Sequence, residues 1–175
     1  MTNLENYVRT VEDFPEEGVK FQDIGPMLED PQARQESYRE IAGLLQDEVL
    51  TLDSVAGFGA RGFLIGPGVA DELDSSFYMM RKEGKLPGDT RSESYGLEYD
   101  QDTIEIQEGL IDDGERIALV DDVLATGGTI EAGTNLVERS EGEVAYCAAL
   151  MEIDSLDGRE RLENQGYDVK TVMSR

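Results

Sequence analysis

The stretch ALVDDVLATGGTIEAG, residues 118–133, constrains the fold of this chain more than any other. An apolar run over 116–121, RIALVD, ends in two adjacent acids, Asp121 and Asp122. A short loop follows (Ala125, Thr126, Gly127, Gly128, Thr129), and then a helical pattern over 130–139. An unbroken apolar run of this length reads as a strand covered on both faces, which belongs in a parallel sheet flanked by helices. In such sheets ligands bind beyond the carboxyl ends of the strands. Backbone N–H groups of the loop and the positive end of the helix form an anion site there. The glycines let the backbone close round a phosphate, and Thr126 and Thr129 add hydroxyl donors. The GxxxxGK[ST] pattern of a Walker loop is absent. A phosphate alone does not need two acids at the strand end, whereas adjacent carboxylates suit a sugar diol or a hydrated Mg2+. The segment therefore asks for a ligand carrying both a phosphate and a diol.

The rest of the chain repeats the alternation. Asp30 before Pro31 predicts an N-cap and first helical residue, opening a helix to about residue 48 with Tyr38, Ile41, Leu44 and Leu45 on one face. Strands are predicted over 54–58, 76–80, 103–107 and 143–151, with a helix over 62–73. The first thirty residues read as irregular. Residues 84–102, rich in glycine and polar groups, read as a long loop or hairpin, and loops this long in compact domains usually act as lids. The predicted architecture is a single α/β domain: a central parallel sheet of about five strands flanked by helices.

Composition narrows the function classes. Asp and Glu number 39 against 15 Lys and Arg, a net charge of −24. So acidic a body repels nucleic-acid phosphate, so no nucleic-acid partner is expected. There is no histidine, which removes imidazole bases and the usual zinc ligands. Cys147, alone and inside the apolar run VAYCAAL, reads as a small buried hydrophobe. Mean hydropathy is −0.43, and no run of about 18 apolar residues exists, so no membrane span is predicted. The polar, acidic start MTNLENYVRTVEDF lacks the pattern of a signal peptide, and a cytoplasmic enzyme is the expectation.

The hydrophobic strand, paired acids and A-T-G-G-T loop resemble the type I phosphoribosyltransferases. Four further segments narrow the likeness to the adenine branch of that family: FPEEGVKFQDI near the start, ARGFLIGP at 60–67, RKEGKLPGDTRSESYGLEYD at 81–100 and LMEIDSLDGRERL at 150–162. The resemblance implies transfer of ribose 5-phosphate from phosphoribosyl pyrophosphate to a purine, adenine to AMP, with Mg2+ and in a homodimer. It also implies a small hood over the base from about 1–30 and 150–175, and a flexible lid over about 84–102. By position, Asp121 and Asp122 would hold the ribose diol and the metal, directly or through water, and Ala125, Thr126, Gly127, Gly128 and Thr129 the 5-phosphate. Arg61, Arg81, Lys82 and Lys85 would meet the pyrophosphate, part of that cluster being lent by a partner subunit. Glu98 matches the family's acid near purine N7, and Tyr99 a residue of the closing lid. Phe21 and Ile153 would sandwich the base, with the backbone of Lys20 reading its edge.

Two departures stand out. Gln22 replaces an arginine common beside the base pocket, which leaves hypoxanthine, guanine or xanthine open as substrates. Gly59 replaces an acid common before the ARGF turn. Two other classes also fit parts of the chain. Gly57-Phe58-Gly59-Ala60-Arg61-Gly62 is a literal GxGxxG, but the next strand ends in Met79-Met80-Arg81 rather than the acid a dinucleotide site needs. A non-catalytic regulator on the same fold would use the sugar site only for sensing. Finally, acids dispersed along the whole chain with only four lysines suggest a high-salt source, since at about 1 M salt the Debye length falls to about 3 Å. The unfolding midpoint is expected to rise from low to molar KCl; a midpoint independent of KCl would remove that reading.

Overall fold

The computed structural model describes residues 2–46, 51–97 and 100–175. Two strands near the start, β1 (Arg9–Glu12) and β2 (Lys20–Asp23), pair antiparallel as a separate hairpin. A short helix α1 (Gly25–Glu29) leads into α2 (Pro31–Leu45). The predicted cap is present: Asp30 Oδ1 accepts from the N–H groups of Gln32 and Ala33, both at 2.9 Å. The first thirty residues are thus ordered by a hairpin and a helix where the sequence read as irregular. The hairpin has only a two-stranded ladder, too short for its periodicity to show.

The main body alternates strand and helix, with α5 and β9 added to the predicted elements: β3 (Ser54–Phe58), α3 (Gly66–Leu73), β4 (Ser76–Lys82), β5 (Thr90–Leu97), β6 (Asp100–Gln107), β7 (Arg116–Leu124), α4 (Gly128–Arg139), β8 (Glu143–Glu152), α5 (Gly158–Glu163) and β9 (Val169–Ser174). The sheet runs β5-β6-β4-β3-β7-β8-β9. Five neighbouring strands, β4, β3, β7, β8 and β9, are parallel. The hairpin β5–β6 adds two antiparallel strands at one edge. So the 84–102 stretch resolves to the hairpin alternative, and it docks on α4: Asn135 and Arg139 donate to Glu93 at 3.1 and 2.6 Å. The final strand β9 extends the main sheet beside β8. Val169 and Met173 of this strand are buried against the sheet.

The helix predicted over 62–73 is broken. A single tight turn spans Arg61–Leu64, and α3 starts only at Gly66, with Pro67 in its first turn. Burial explains the two-sided reading of the strands. All of β3 is buried, and Ile117, Leu119, Val120, Leu150 and Met151 of β7 and β8 are fully enclosed. One core layer (Ile41, Leu45, Val55, Ile65, Val69, Val120) packs α2 and α3 on the sheet; the other (Phe58, Leu119, Ile130, Leu136, Val137) packs α4 on the opposite face. Among the described residues no helix is long and apolar enough to cross a membrane.

Two outcomes follow. Cys147 is buried, and burial, followed by the charge of Asp168, pushes its thiol up to about 12. Native protein at pH 8 should resist iodoacetamide and the unfolded chain should react; quick alkylation of folded protein would show an accessible thiol. Asp30→Ala should lower stability by about 1 kcal/mol in urea melts, the usual effect of losing such a cap.

Candidate functional site

Parallel pairing brings the ends of β3, β4, β7 and β8 to one rim, and nearly every candidate residue lies along it. β7 delivers the acids. Asp122 is buried (3 % exposed), while the Asp121 side chain turns back so that its Oδ1 accepts the Asp122 N–H at 2.9 Å. Burial, and after it the charge of Asp122, pushes the Asp121 carboxyl well above the ordinary carboxylate range. Gly62 lies so close that a Cβ there would sit 2.8 Å from Asp121 Oδ1, so the turn after β3 needs glycine to reach the acid pair. The GxGxxG match is thereby explained by close packing of this turn, in which the Gly59–Ala60 peptide is cis.

Arg61, in the same turn, places Nε 2.6 Å from Asp122 Oδ2. The contact is a charge pair off the N–H axis, so Oδ2 has no aligned hydrogen-bond donor. The guanidinium also lies over the Phe21 ring, 5.0 Å from its centroid. Phe21 in turn meets Phe14 edge-on at 5.1 Å. Arg61 therefore ties the N-terminal hairpin to the acid pair. It needs no acid at position 59 to do so; Asp122 holds it. Gln22 stands opposite Thr10 in the β1–β2 ladder and accepts its hydroxyl at 3.1 Å. Successive strand residues point to opposite faces, so Gln22 faces away from the side on which Phe21 meets Arg61. Lys20, one residue before Phe21, is exposed and 3.8 Å from Glu12.

After β7 the loop turns at Gly127, whose φ of +80° is a conformation that favours glycine. α4 begins at Gly128, two residues earlier than predicted, because the Gly-Thr pair can wind into the first turn. The N–H groups of that turn have no carbonyl partner within the helix and face the loop. Asp121, Ala125, Thr126, Gly127, Gly128 and Thr129 enclose a cavity of about 60 Å³. Next to it, Leu124, Ile153, Asp157 and Gly158 line one of about 240 Å³, and the Ile153 N–H donates to the Leu124 carbonyl at 2.9 Å. Ile153 thus borders the end of β7, and Phe21 is linked to it through Arg61.

A third cavity, of about 300 Å³, is walled by Gly59, Ala60, Phe63, Arg81, Lys82 and Lys85. Arg81 lies 6.0 Å from the Phe63 centroid and donates to the Lys85 carbonyl. Lys82 pairs with Asp102 at 2.9 Å. Among the described residues, every one of the fifteen cations except Arg34, Arg81 and Lys85 stands within 4.0 Å of an acid. In so acidic a chain, two of those three exceptions share this cavity. Glu98 and Tyr99 lie outside the described residues. The sequence reading missed Tyr95, Gly158 and Arg161, which crowd the loop at Gly127 and Gly128. Only their place in the resembling segments could have pointed to them.

Comparison with known proteins agrees with this geometry. The phosphoribosyl transferase domain matches residues 29–175, and the chain belongs to that family. An adenine phosphoribosyltransferase of Mesomycoplasma hyopneumoniae is 46% identical over 171 residues, covering 98% of this chain and 96% of the relative. The crystal structure of adenine phosphoribosyltransferase from Rhodothermus marinus superposes with a TM-score of 0.90 at 44% identity, covering 98% and 96% of the two chains. The Saccharomyces cerevisiae enzyme, solved with an imino-altritol bisphosphate and adenine, gives 0.90 at 35%, covering 96% and 95%.

Arg61→Ala should destabilise the fold as well as the site, since it leaves a buried carboxylate without its cation. A loss of about 1–3 kcal/mol is expected, read as a fall in Tm; an unchanged Tm would show that Asp122 does not depend on Arg61.

Proposed function

We infer that the chain is an adenine phosphoribosyltransferase, converting adenine and phosphoribosyl pyrophosphate to AMP and pyrophosphate in purine salvage. The observation that carries this is the set of three cavities along one strand rim: a glycine loop with an acid pair, a recess beside Leu124 and Ile153, and a wall of cations in which Arg81 and Lys85 have no acid within 4.0 Å among the described residues. Each fits one part of the two substrates.

The loop 125–129 holds the 5-phosphate through backbone N–H groups and the Thr126 and Thr129 hydroxyls. Asp121 and Asp122 accept from the ribose hydroxyls. Arg81, Lys82 and Lys85 face the pyrophosphate, and Arg61 is close enough to the acid pair to touch both. Phe21 and Ile153 hold the base, with the Lys20 backbone at its edge. A ring nitrogen of adenine forms the new bond to C1 as the C1–O bond breaks. The electron pair leaves with pyrophosphate, and the base gives up its N–H proton. Charge grows on the leaving group, which the fixed cations stabilise without reorganising. Glu98 beside purine N7 and Tyr99 in the closing segment complete the assignment.

The acid pair suits Mg2+: both offer hard oxygen donors, and Asp122 Oδ2 is buried without an aligned donor. Among the described residues no three His, Cys, Asp or Glu side chains converge, so the remaining ligands would come from substrate and water. When bound, Mg2+ supplies positive charge to the departing pyrophosphate. A cytoplasmic, salt-tolerant homodimer completes the proposal. Exposed Leu64 and Met79, close in sequence to cavity-lining Phe63 and Arg81, support a covered face there.

The test is product formation in molar KCl with Mg2+ and phosphoribosyl pyrophosphate, offering adenine, hypoxanthine, guanine and xanthine separately. AMP from adenine alone is expected, because Gln22 faces away from Phe21. Another nucleotide would overturn the base; none from any base, with the sugar substrate still bound, would favour a sensor. Asp122→Asn should cut turnover by about a hundredfold or more, and wild-type turnover in that variant would remove the diol assignment.

A further inference from the structure

The phosphate loop has an unexpected neighbour. α5 packs directly on it: a Cβ added to Gly158 would run into the Ala125 carbonyl oxygen, and one added to Gly127 would lie 3.0 Å from the Gly158 carbonyl oxygen and 3.5 Å from Arg161 Cδ. At Gly128, the first residue of α4, a Cβ would lie 3.7 Å from Arg161 Nη1 and 3.5 Å from Tyr95 Cδ2. The Arg161 side chain therefore runs along the loop and sets its guanidinium beside the helix start, where the free N–H groups are. Its present partner is Glu131, in the first turn of α4, and Gln165 Nε2 donates to the other oxygen of that carboxylate at 2.6 Å.

The loop itself, Ala125 to Thr129, contains no cation, and the acids nearest in sequence are Asp121, Asp122 and Glu131. A sugar 5-phosphate brings up to two negative charges into this setting. Glu131 is favourable at an empty helix N-terminus but becomes a like charge once phosphate arrives. As a strap between helices the Arg161–Glu131 pair contributes little, since Arg161 is half-exposed and such pairs are screened. As a cation beside the loop it offsets both the phosphate and Glu131.

We propose that Arg161 is a further phosphate-recognition residue, shared between Glu131 and the 5-phosphate of the bound sugar. The inference rests on the reading of residues 125–129 as the 5-phosphate site. It predicts a division of labour: Arg161 acts on the 5-phosphate, and the Arg81–Lys85 wall acts on pyrophosphate.

The test is calorimetric titration of the full chain, with Mg2+ and KCl, using ribose 5-phosphate and inorganic pyrophosphate as separate probes. Arg161→Gln should weaken ribose 5-phosphate by about tenfold, the low end for one charge-assisted hydrogen bond, and leave pyrophosphate unchanged. Arg161→Lys should recover most of the loss. Glu131→Gln removes the competing carboxylate and should bind ribose 5-phosphate at least as tightly as the wild type. Wild-type affinity in Arg161→Gln would overturn the proposal. So would equal weakening in Arg161→Gln and Glu131→Gln with matching falls in Tm, which is the behaviour of a strap. Wild-type protein that binds pyrophosphate but not ribose 5-phosphate would overturn the reading of the loop, and the inference with it.

Discussion

A buried carboxylate at the end of a central strand must find a cation, and the site is organised round that requirement. Asp122 is enclosed because β7 lies between β3 and β8 with helices on both faces. Leaving its charge unpaired would cost about 1–3 kcal/mol. Arg61 supplies the partner, and in doing so it fixes the turn after β3 against the acid pair. The same guanidinium offers its face to Phe21, so the N-terminal hairpin docks over the rim. One ion pair thus joins three segments far apart in the chain: the hairpin, the first βα turn and the acid strand.

Charge is distributed unevenly for a reason the net value hides. With acids so abundant, cations are taken up by nearby carboxylates almost everywhere, as with Arg159 between Glu152 and Glu163 or Arg139 against Glu93. Among the described residues Arg81 and Lys85 have no such partner, and the turn between β4 and β5 is held by Glu105. That residue is 7 % exposed, and its carboxylate accepts the Gly84 N–H and the Thr90 hydroxyl. Glu105 stands opposite Arg81 in the β4–β6 ladder, yet its carboxylate is bound to the turn. The cations above are left facing a cavity, positioned for an anion from outside.

The loop over 125–129 depends on contacts from both sides. Backbone geometry at Gly127 gives it shape, but α5 sets its outer limit through Gly158, and the edge hairpin reaches it through Tyr95. The hairpin is in turn fixed to α4 by Glu93. A loop supported by helix and hairpin together holds its N–H groups in place, as a preformed anion site requires.

Much of this was legible in the sequence, because it rests on local pattern. Four of the five parallel strands, β3, β4, β7 and β8, follow from short apolar runs, the cap of α2 from Asp30-Pro31, and the cavity beyond β7 from two acids followed by a glycine loop. Each is a property of a few consecutive residues. The order of the motifs pointed to the family. What the sequence left open was non-local. The path of β9 into the main sheet and the seating of the turn at Gly62 against Asp121 depend on partners tens of residues away. So does the choice of Asp122, among 39 acids, as the partner of Arg61, and the placing of Arg161 against Gly128. Local composition determined which groups could bind phosphate and sugar. Only parallel packing of the strands, which brings their carboxyl ends to one rim, decided which of those groups meet.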